Sequence, residues 1–303
     1  VAFNVPKDRL GFFDEIEHRF RLLLHKGIIT GIDQIRLSGW LANFTSLEDK
    51  YLAAHVLNSL TYRSDAMVRS SFHHLVHCEL PRVLRDSANL AFPDSDAFET
   101  ALRDGDEWSA LRFVAVDGTF EEIPGKSGAV VIRQFRRHLG VSKKLMCRPE
   151  NLATLPGTVR ALVFIDDMVG TGRQFQTFAN YYKLSEQVGK RALIYCPLLA
   201  FDAGVTKISE ALPWLETHPV EILGAGHRFF RPSDKDPQLW GADSANSLAD
   251  VQAYVAELCR RNGLPVKTRH SLDLVVAFEH AVPNNSMPLL SIKTARWQPL
   301  FDR

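Results

Sequence analysis

An α/β fold, a parallel sheet with helices on both faces joined to an all-helical N-terminal layer, is what this sequence predicts, and three observations predict it. From Leu111 onward, short apolar runs alternate with amphipathic helical stretches, the pattern of a parallel sheet wound with helices. Leu162 to Ile165 is a continuous apolar run, as expected of a central strand covered on both sides. The first hundred residues instead repeat their apolar positions at helical spacing.

In that first region Phe12, Phe13, Ile16, Phe20 and Leu23 share one helical face. Ser46-Leu-Glu-Asp49 has the form of an N-terminal cap, leading into a helix over Lys50 to Tyr62 on which Leu52, Val56, Leu57 and Leu60 share a face. Met67, Phe72, Leu75 and Val76 predict a further helix, closed by Pro81. Asn89 to Asp96 gathers Asn, Pro, Ser and Asp, which places a boundary there and divides the chain into a helical layer over 1–95 and an α/β domain over 96–303. In the second part, Arg112 to Val116 reads as a strand, Ala129 to Leu139 as a helix, Val159 to Ile165 as a strand and Gln174 to Val188 as a helix. Ala192 to Leu199, Val220 to Leu223 and Leu274 to Phe278 are further strands, with Val205 to Leu215 and Leu248 to Arg261 as helices.

The chemistry concentrates in Ala161-Leu-Val-Phe-Ile-Asp166-Asp167-Met-Val-Gly170-Thr171-Gly172-Arg173-Gln174-Phe175. A strand delivers two carboxylates to its carboxyl end, the edge at which open α/β sheets bind ligands. Gly170 and Gly172 allow a tight turn whose amides approach an anion, and Thr171 adds a hydroxyl. The helix that follows offers its unpaired N–H groups to a phosphate, worth about 0.3 to 1 kcal/mol at an exposed site. Asp166 and Asp167 suit vicinal hydroxyls of a ribose, or Mg2+ through water. A Walker B strand also ends in acidic residues, but Gly125-Lys126-Ser127 lacks its leading glycine because Phe120 stands there. A receiver domain would carry its acidic pair near its start, whereas more than a hundred residues precede this one. A plain structural turn is the remaining alternative.

These residues resemble the 5-phosphoribosyl 1-diphosphate (PRPP) motif of type I phosphoribosyltransferases. The resemblance implies that Asp166 and Asp167 bind the ribose hydroxyls and that Met168, Val169, Gly170, Thr171, Gly172, Arg173 and Gln174 wrap the 5-phosphate. Gln174 replaces a common second Thr, and Arg173 a small residue or Lys. Gly125, Lys126, Ser127 and Gly128 take the place of the family's pyrophosphate loop, with Lys126 countering diphosphate charge beside Mg2+; a glycine-capped surface turn is the plain alternative. The implied reaction is pentosyl transfer at ribose C1, which asks the protein for positioning and electrostatic stabilisation. Leu139 to Val159 leaves little room for the mobile lid that active members carry.

Val282-Pro-Asn284-Asn285-Ser-Met-Pro288 follows the last strand, and with Cys259 to Pro265 and Leu272 to Phe278 it resembles the end of phosphoribosyltransferase-like domains of bacterial conflict systems, including reverse-transcriptase (retron)-linked antiphage operons. That resemblance makes Asn284 and Asn285 candidate acceptor contacts in a hood, a rigid turn being the alternative. It implies an antiphage effector, with a noncatalytic nucleotide sensor or an N-glycosidic nucleotide hydrolase as alternatives. The helical layer would then dock a partner such as a reverse transcriptase with its nucleic acid.

Other groupings read as ordinary surface. Arg133, Arg136 and Arg137, followed by Lys143, Lys144 and Arg148, suit a polyphosphate or a solvated helix face. His73 and His77 stand at i, i+4 beside His74 and Cys78 without the intervening Glu of a zinc-protease motif. With a net charge of +1 and 23% charged residues, nothing global draws the chain to nucleic acid or anionic lipid. The 4 cysteines, Cys78, Cys147, Cys196 and Cys259, are scattered without a C-x2-C pair, against both a zinc site and a disulfide framework. No run approaches the roughly 20 apolar residues of a membrane span, and no export signal opens the sequence, so a cytoplasmic setting is expected.

Overall fold

Helix starts in this chain are written locally, and the computed structural model, which describes residues 3–106, 109–116, 127–230, 239–240, 243, 245–268 and 270–302, shows where each signal acts. Helix α1 (Phe12–His25) buries Ile16 and Phe20, one turn apart. In α2 (Gln34–Leu41) the Asp33 carboxylate accepts the Arg36 amide at 2.7 Å. In α3 (Leu47–Asn58) Ser46 and Asp49 accept each other's amides, at 3.1 and 3.3 Å, satisfying two otherwise unpaired donors. This helix ends at Asn58, short of the expected Tyr62, which instead lies in strand β1 (Thr61–Arg63). Helix α4 (Asp65–His74) runs into a π-helical turn, Leu75–Glu79, and then α5 (Leu80–Ala88). Pro81 therefore opens a helix and does not close one. Its missing N–H costs nothing in a first turn, where no intrahelical partner exists. Asn89 ends α5 in the left-handed region at φ 52°, and the polar segment read as a boundary caps α6 (Ser95–Asp104) through Asp94.

The sheet begins with β2 (Leu111–Ala115), followed by α7 (Ser127–His138), β3 (Met146–Cys147) and β4 (Ala161–Val169). It continues with α8 (Arg173–Tyr181), β5 (Ala192–Phe201), α9 (Asp202–Ala211), β6 (Glu216–Thr217) and β7 (Glu221–Leu223). Strand order is β3-β2-β4-β5-β6, with β7 also on β5, and every pairing is parallel. Phe113 sits in register with Val163 and packs on Phe135 of α7, while Phe164, the next residue of β4, packs on Phe175 and Phe178 of α8. Consecutive strand residues face opposite ways, so α7 and α8 cover opposite faces. Chain order reverses across β2, with β3 on one side and β4 on the other. That reversal is the switch point at which such sheets open a crevice.

The last elements are α10 (Leu248–Arg261), capped by Ser247 and Asp250, and β8 (Val276–Phe278). Strand β8 does not join the main sheet as expected; it pairs in parallel with β1, Thr61 opposite Val276. The chain accordingly divides into two units, Val1–Asp65 with Gly224–Arg303, and Ala66–Leu223. Neither division point coincides with the boundary expected near residue 95. In the first unit, the Trp40 and Trp297 indoles both donate to the Leu289 carbonyl, at 2.9 and 3.1 Å. Asp49, fully buried, accepts from Tyr254 and Arg261. Burial alone would raise its pKa, but those bonds and the Ser46 amide outweigh it and hold the carboxyl below its usual range. Among the described residues, no helix is long and apolar enough to cross a membrane.

Candidate functional site at the carboxyl end of β4

Strand β4 runs to Val169, four residues past the expected end at Ile165, so Asp166 and Asp167 lie within it. Both are buried, and they differ in their partners. Asp166 shares the α8 face with Phe164 and is 2% exposed. The Tyr195 hydroxyl donates to its Oδ2 at 2.7 Å, and its Oδ1 accepts the Asp167 amide at 3.0 Å. Tyr195 is itself clamped, stacked on Phe175 with ring centroids 3.9 Å apart. Burial, and then the neighbouring Asp167 charge, push the Asp166 pKa well above its usual value against the opposing pull of Tyr195. Asp166 is thereby held toward its neutral form, consistent with a carboxyl out of water. Asp167 is also buried, at 8% exposure, with its carboxyl beside that of Asp166, and its Oδ1 accepts the Met168 amide at 2.8 Å.

The pair is therefore not a symmetric clamp on a ribose. Tyr195 already takes one oxygen of Asp166, and a neutral buried carboxyl is a poor ligand for Mg2+, which is bound through ionised carboxylates and ligand phosphates. Asp166 does not fit the expected metal role, and Asp167 is the one member whose placement suits either role.

The turn after β4 matches its sequence more closely. Gly172 takes φ 76° and caps α8, a conformation that favours glycine. A Cβ there would lie 2.8 Å from the Gly204 carbonyl oxygen. Reciprocally, a Cβ on Gly204 would lie 2.0 Å from the Gly170 carbonyl oxygen, so two backbones touch where α9 starts. Gly204 was not singled out from the sequence; its only signal is a glycine in the first turn of an otherwise regular helix. The Thr171 hydroxyl accepts the Arg173 amide at 3.4 Å. The amides of Thr171 and Gly172 have no hydrogen-bond partner among the described residues. Arg173 and Gln174 are exposed in the first turn of α8, Met168 is half-buried and Val169 is buried at the strand end. The arrangement presents a donor-rich, glycine-flexed turn beside Asp167 at the switch point.

Of the expected pyrophosphate loop, Gly125 and Lys126 lie outside the described residues. Ser127 opens α7 and Gly128 is buried within that helix, so those two belong to the helix and not to a loop. Asn284 and Asn285 belong to the other unit. The Asn284 carbonyl accepts the Thr268 hydroxyl at 2.9 Å, and the Asn285 side-chain amide donates to the His270 carbonyl at 2.7 Å. Asn285 thus holds its own turn. The His73 and His77 rings lie parallel 5.7 Å apart, and His77 approaches Glu99 at 3.5 Å. No group of three or more His, Cys, Asp or Glu residues suited to a metal occurs among the described residues.

A family model, PRTase-CE, matches residues 37–303. The chain belongs to the PRTase-CE family. This makes it a phosphoribosyltransferase-like protein, and the PRTase-CE match draws on both units. No curated protein matches it.

Proposed function

We propose that this PRTase-CE protein binds PRPP or a related ribose-phosphate nucleotide at the carboxyl end of β4. The observation that carries the reading is the turn itself: left-handed Gly172, amides of Thr171 and Gly172 unpartnered among the described residues, and the start of α8 converge beside Asp167. Backbone donors and a helix N-terminus suit a phosphate, and a carboxylate one pleat away suits a sugar hydroxyl. In the transfer reading, an acceptor displaces diphosphate from ribose C1. Asp167 orients the sugar and the 170–174 segment anchors its phosphate, while Lys126 counters leaving-group charge. Mg2+ would supply further charge neutralisation on the diphosphate, next to Asp167.

A second reading, a nucleotide-sensing module without turnover, is favoured by two observations. Tyr195 occupies the Asp166 carboxyl, and the segment expected to carry a lid is filled by two 3-10 turns, Lys143–Leu145 and Pro149–Thr154, around β3. By resemblance to the conflict-system domains, either activity would serve an antiphage effector in the cytoplasm, with a reverse transcriptase as a candidate partner.

Calorimetry with PRPP in the presence of Mg2+ tests the site. Asp167→Ala should weaken binding at least about tenfold, about 1.4 kcal/mol, whereas Asp166→Asn should leave it nearly unchanged. If Asp167→Ala binds like the parent, the site is misassigned. Mass spectrometry of products then separates transfer (diphosphate with a joined base), hydrolysis (free base without PRPP) and sensing (neither).

A further inference from the structure

A cavity of about 590 Å³ opens between α7 and the β2–β3 edge, on the opposite sheet face from α8. Its size falls in the range of roughly 300–1,000 Å³ typical of small-molecule sites. Helix α7 builds one wall by its periodicity. Ile132, Arg133 and Arg136 line the cavity from one stripe, while Val131 and Phe135 turn fully into the core. Lys143, ahead of β3, and Arg148, immediately after it, complete a cationic rim from two other segments.

Among the described residues, four cations line the cavity, and Glu150 is the one carboxylate. Glu150 accepts the Tyr182 hydroxyl at 3.3 Å. Among the described residues, none of Arg133, Arg136, Lys143 and Arg148 makes an ion pair or a side-chain hydrogen bond. Like charges crowded round a concavity repel one another, and the low-dielectric wall behind them focuses their field outward. Such a grouping suits an anion, and guanidinium groups bind phosphate with matched, two-pronged geometry.

The rest of the lining says which kind of anion. Ile132 and Met146 give the cavity an apolar wall, backed by the buried Phe113, which a bare phosphate or diphosphate cannot cover but a flat base can. We propose that this cavity binds a nucleoside polyphosphate, with its phosphates on Arg133, Arg136, Lys143 and Arg148 and its base against Ile132 and Met146. None of residues 166–174 lines it. The proposal is therefore independent of the ribose-phosphate reading, and it gives the arginine-rich stretch of α7 a function that the β4 site does not use.

Calorimetry of the full chain with ADP, GDP and inorganic pyrophosphate tests it. A nucleotide should bind saturably, and more tightly than pyrophosphate by at least about tenfold. Arg133→Ala with Arg136→Ala should weaken nucleotide binding at least tenfold, as should Lys143→Glu with Arg148→Glu, a second pair on a separate segment that guards against misfolding of the first. Arg137→Ala, on the same helix but outside the lining, should leave it unchanged. Affinity should fall as salt rises. Nucleotide binding lost in Asp167→Asn but kept in both rim variants would overturn the proposal while leaving the β4 site standing. Equal affinity for pyrophosphate, or binding of an oligonucleotide where mononucleotides fail, would also overturn it. Failure of PRPP to bind would leave it untouched.

Discussion

Asp166 and Asp167 are neighbours in sequence, and both are buried, yet they differ in their partners. One accepts the Tyr195 hydroxyl under α8, and the other accepts the Met168 amide. His55 shows the same dependence on surroundings. It is 4% exposed, stacked on Trp240 at 3.7 Å and edge-on to Tyr51 at 4.6 Å, and neither ring nitrogen has a hydrogen-bond partner among the described residues. Burial, with a smaller push from Arg9, lowers its pKa to about 3. An unfolded chain protonates this group near 6.5 and the folded chain resists until about 3, so its contribution is intact above about pH 6.5 and is lost as pH falls toward 3. The slope approaches about 1.4 kcal/mol per pH unit. Asp49, with its lowered pKa, stabilises in full above its ordinary value near 3.8 and loses that contribution only as pH falls below it. Asp166, with its raised pKa, works the opposite way and stabilises as pH falls, so urea denaturation between about pH 6.5 and 4 should show stability falling more with acid in the parent than in His55→Phe. Equal slopes would mean that another group takes up the proton.

Elements in this protein are held in place by contacts that their own sequences advertise unevenly. The turn before α8 is fixed from outside, by the approach of Gly204 in α9 to the Gly170 carbonyl. Gly204→Ala forces a methyl into a space of 2.0 Å, and such overpacking costs about 1–3 kcal/mol. The variant should lose stability in denaturant titration and lose PRPP affinity with it. Gly157→Ala, where a Cβ meets nothing within 4 Å, should change neither. If Gly204→Ala binds PRPP like the parent, the turn does not depend on α9. At this scale the sequence is read well wherever the signal is local. Helix α10 runs over Leu248–Arg261 as expected, because Ser247 and Asp250 cap it and its apolar stripe is regular. Strands β1, β3 and β6, of two or three residues, are too short to show any alternation. Pro81 was misplaced because the same residue that terminates a helix is welcome in the first turn of the next.

Over the whole molecule, the first unit is assembled from both ends of the chain. Strands β1 and β8 pair in parallel across more than two hundred residues, and Trp40 and Trp297 meet at one carbonyl. The core of this unit draws on Leu37, Leu52 and Val56 from the first segment and on Val251, Leu258 and Leu289 from the last. Removing residues 1–65 should therefore strip amide-exchange protection from residues 224–302, while β4 and β5 of the second unit, with their own core around Phe164, Phe178 and Tyr195, keep theirs. Hydrogen exchange read by mass spectrometry checks this; retained protection in α10 and β8 would show that the C-terminal segment folds without its partner.

The sequence by itself determined the parts whose causes span only a few residues: the apolar run of β4, the reciprocal caps at Ser46 and Ser247, and the glycine turn at Gly170–Gly172. Tertiary structure alone decided that Asp166 is sealed under Tyr195, that Gly204 braces the turn, that β8 joins β1 and not the main sheet, and that four scattered cations ring one cavity. Each of these depends on which distant side chain arrives next door. Burial and charge at a site are set by those arrivals, whereas periodicity and capping are set by the immediate chain.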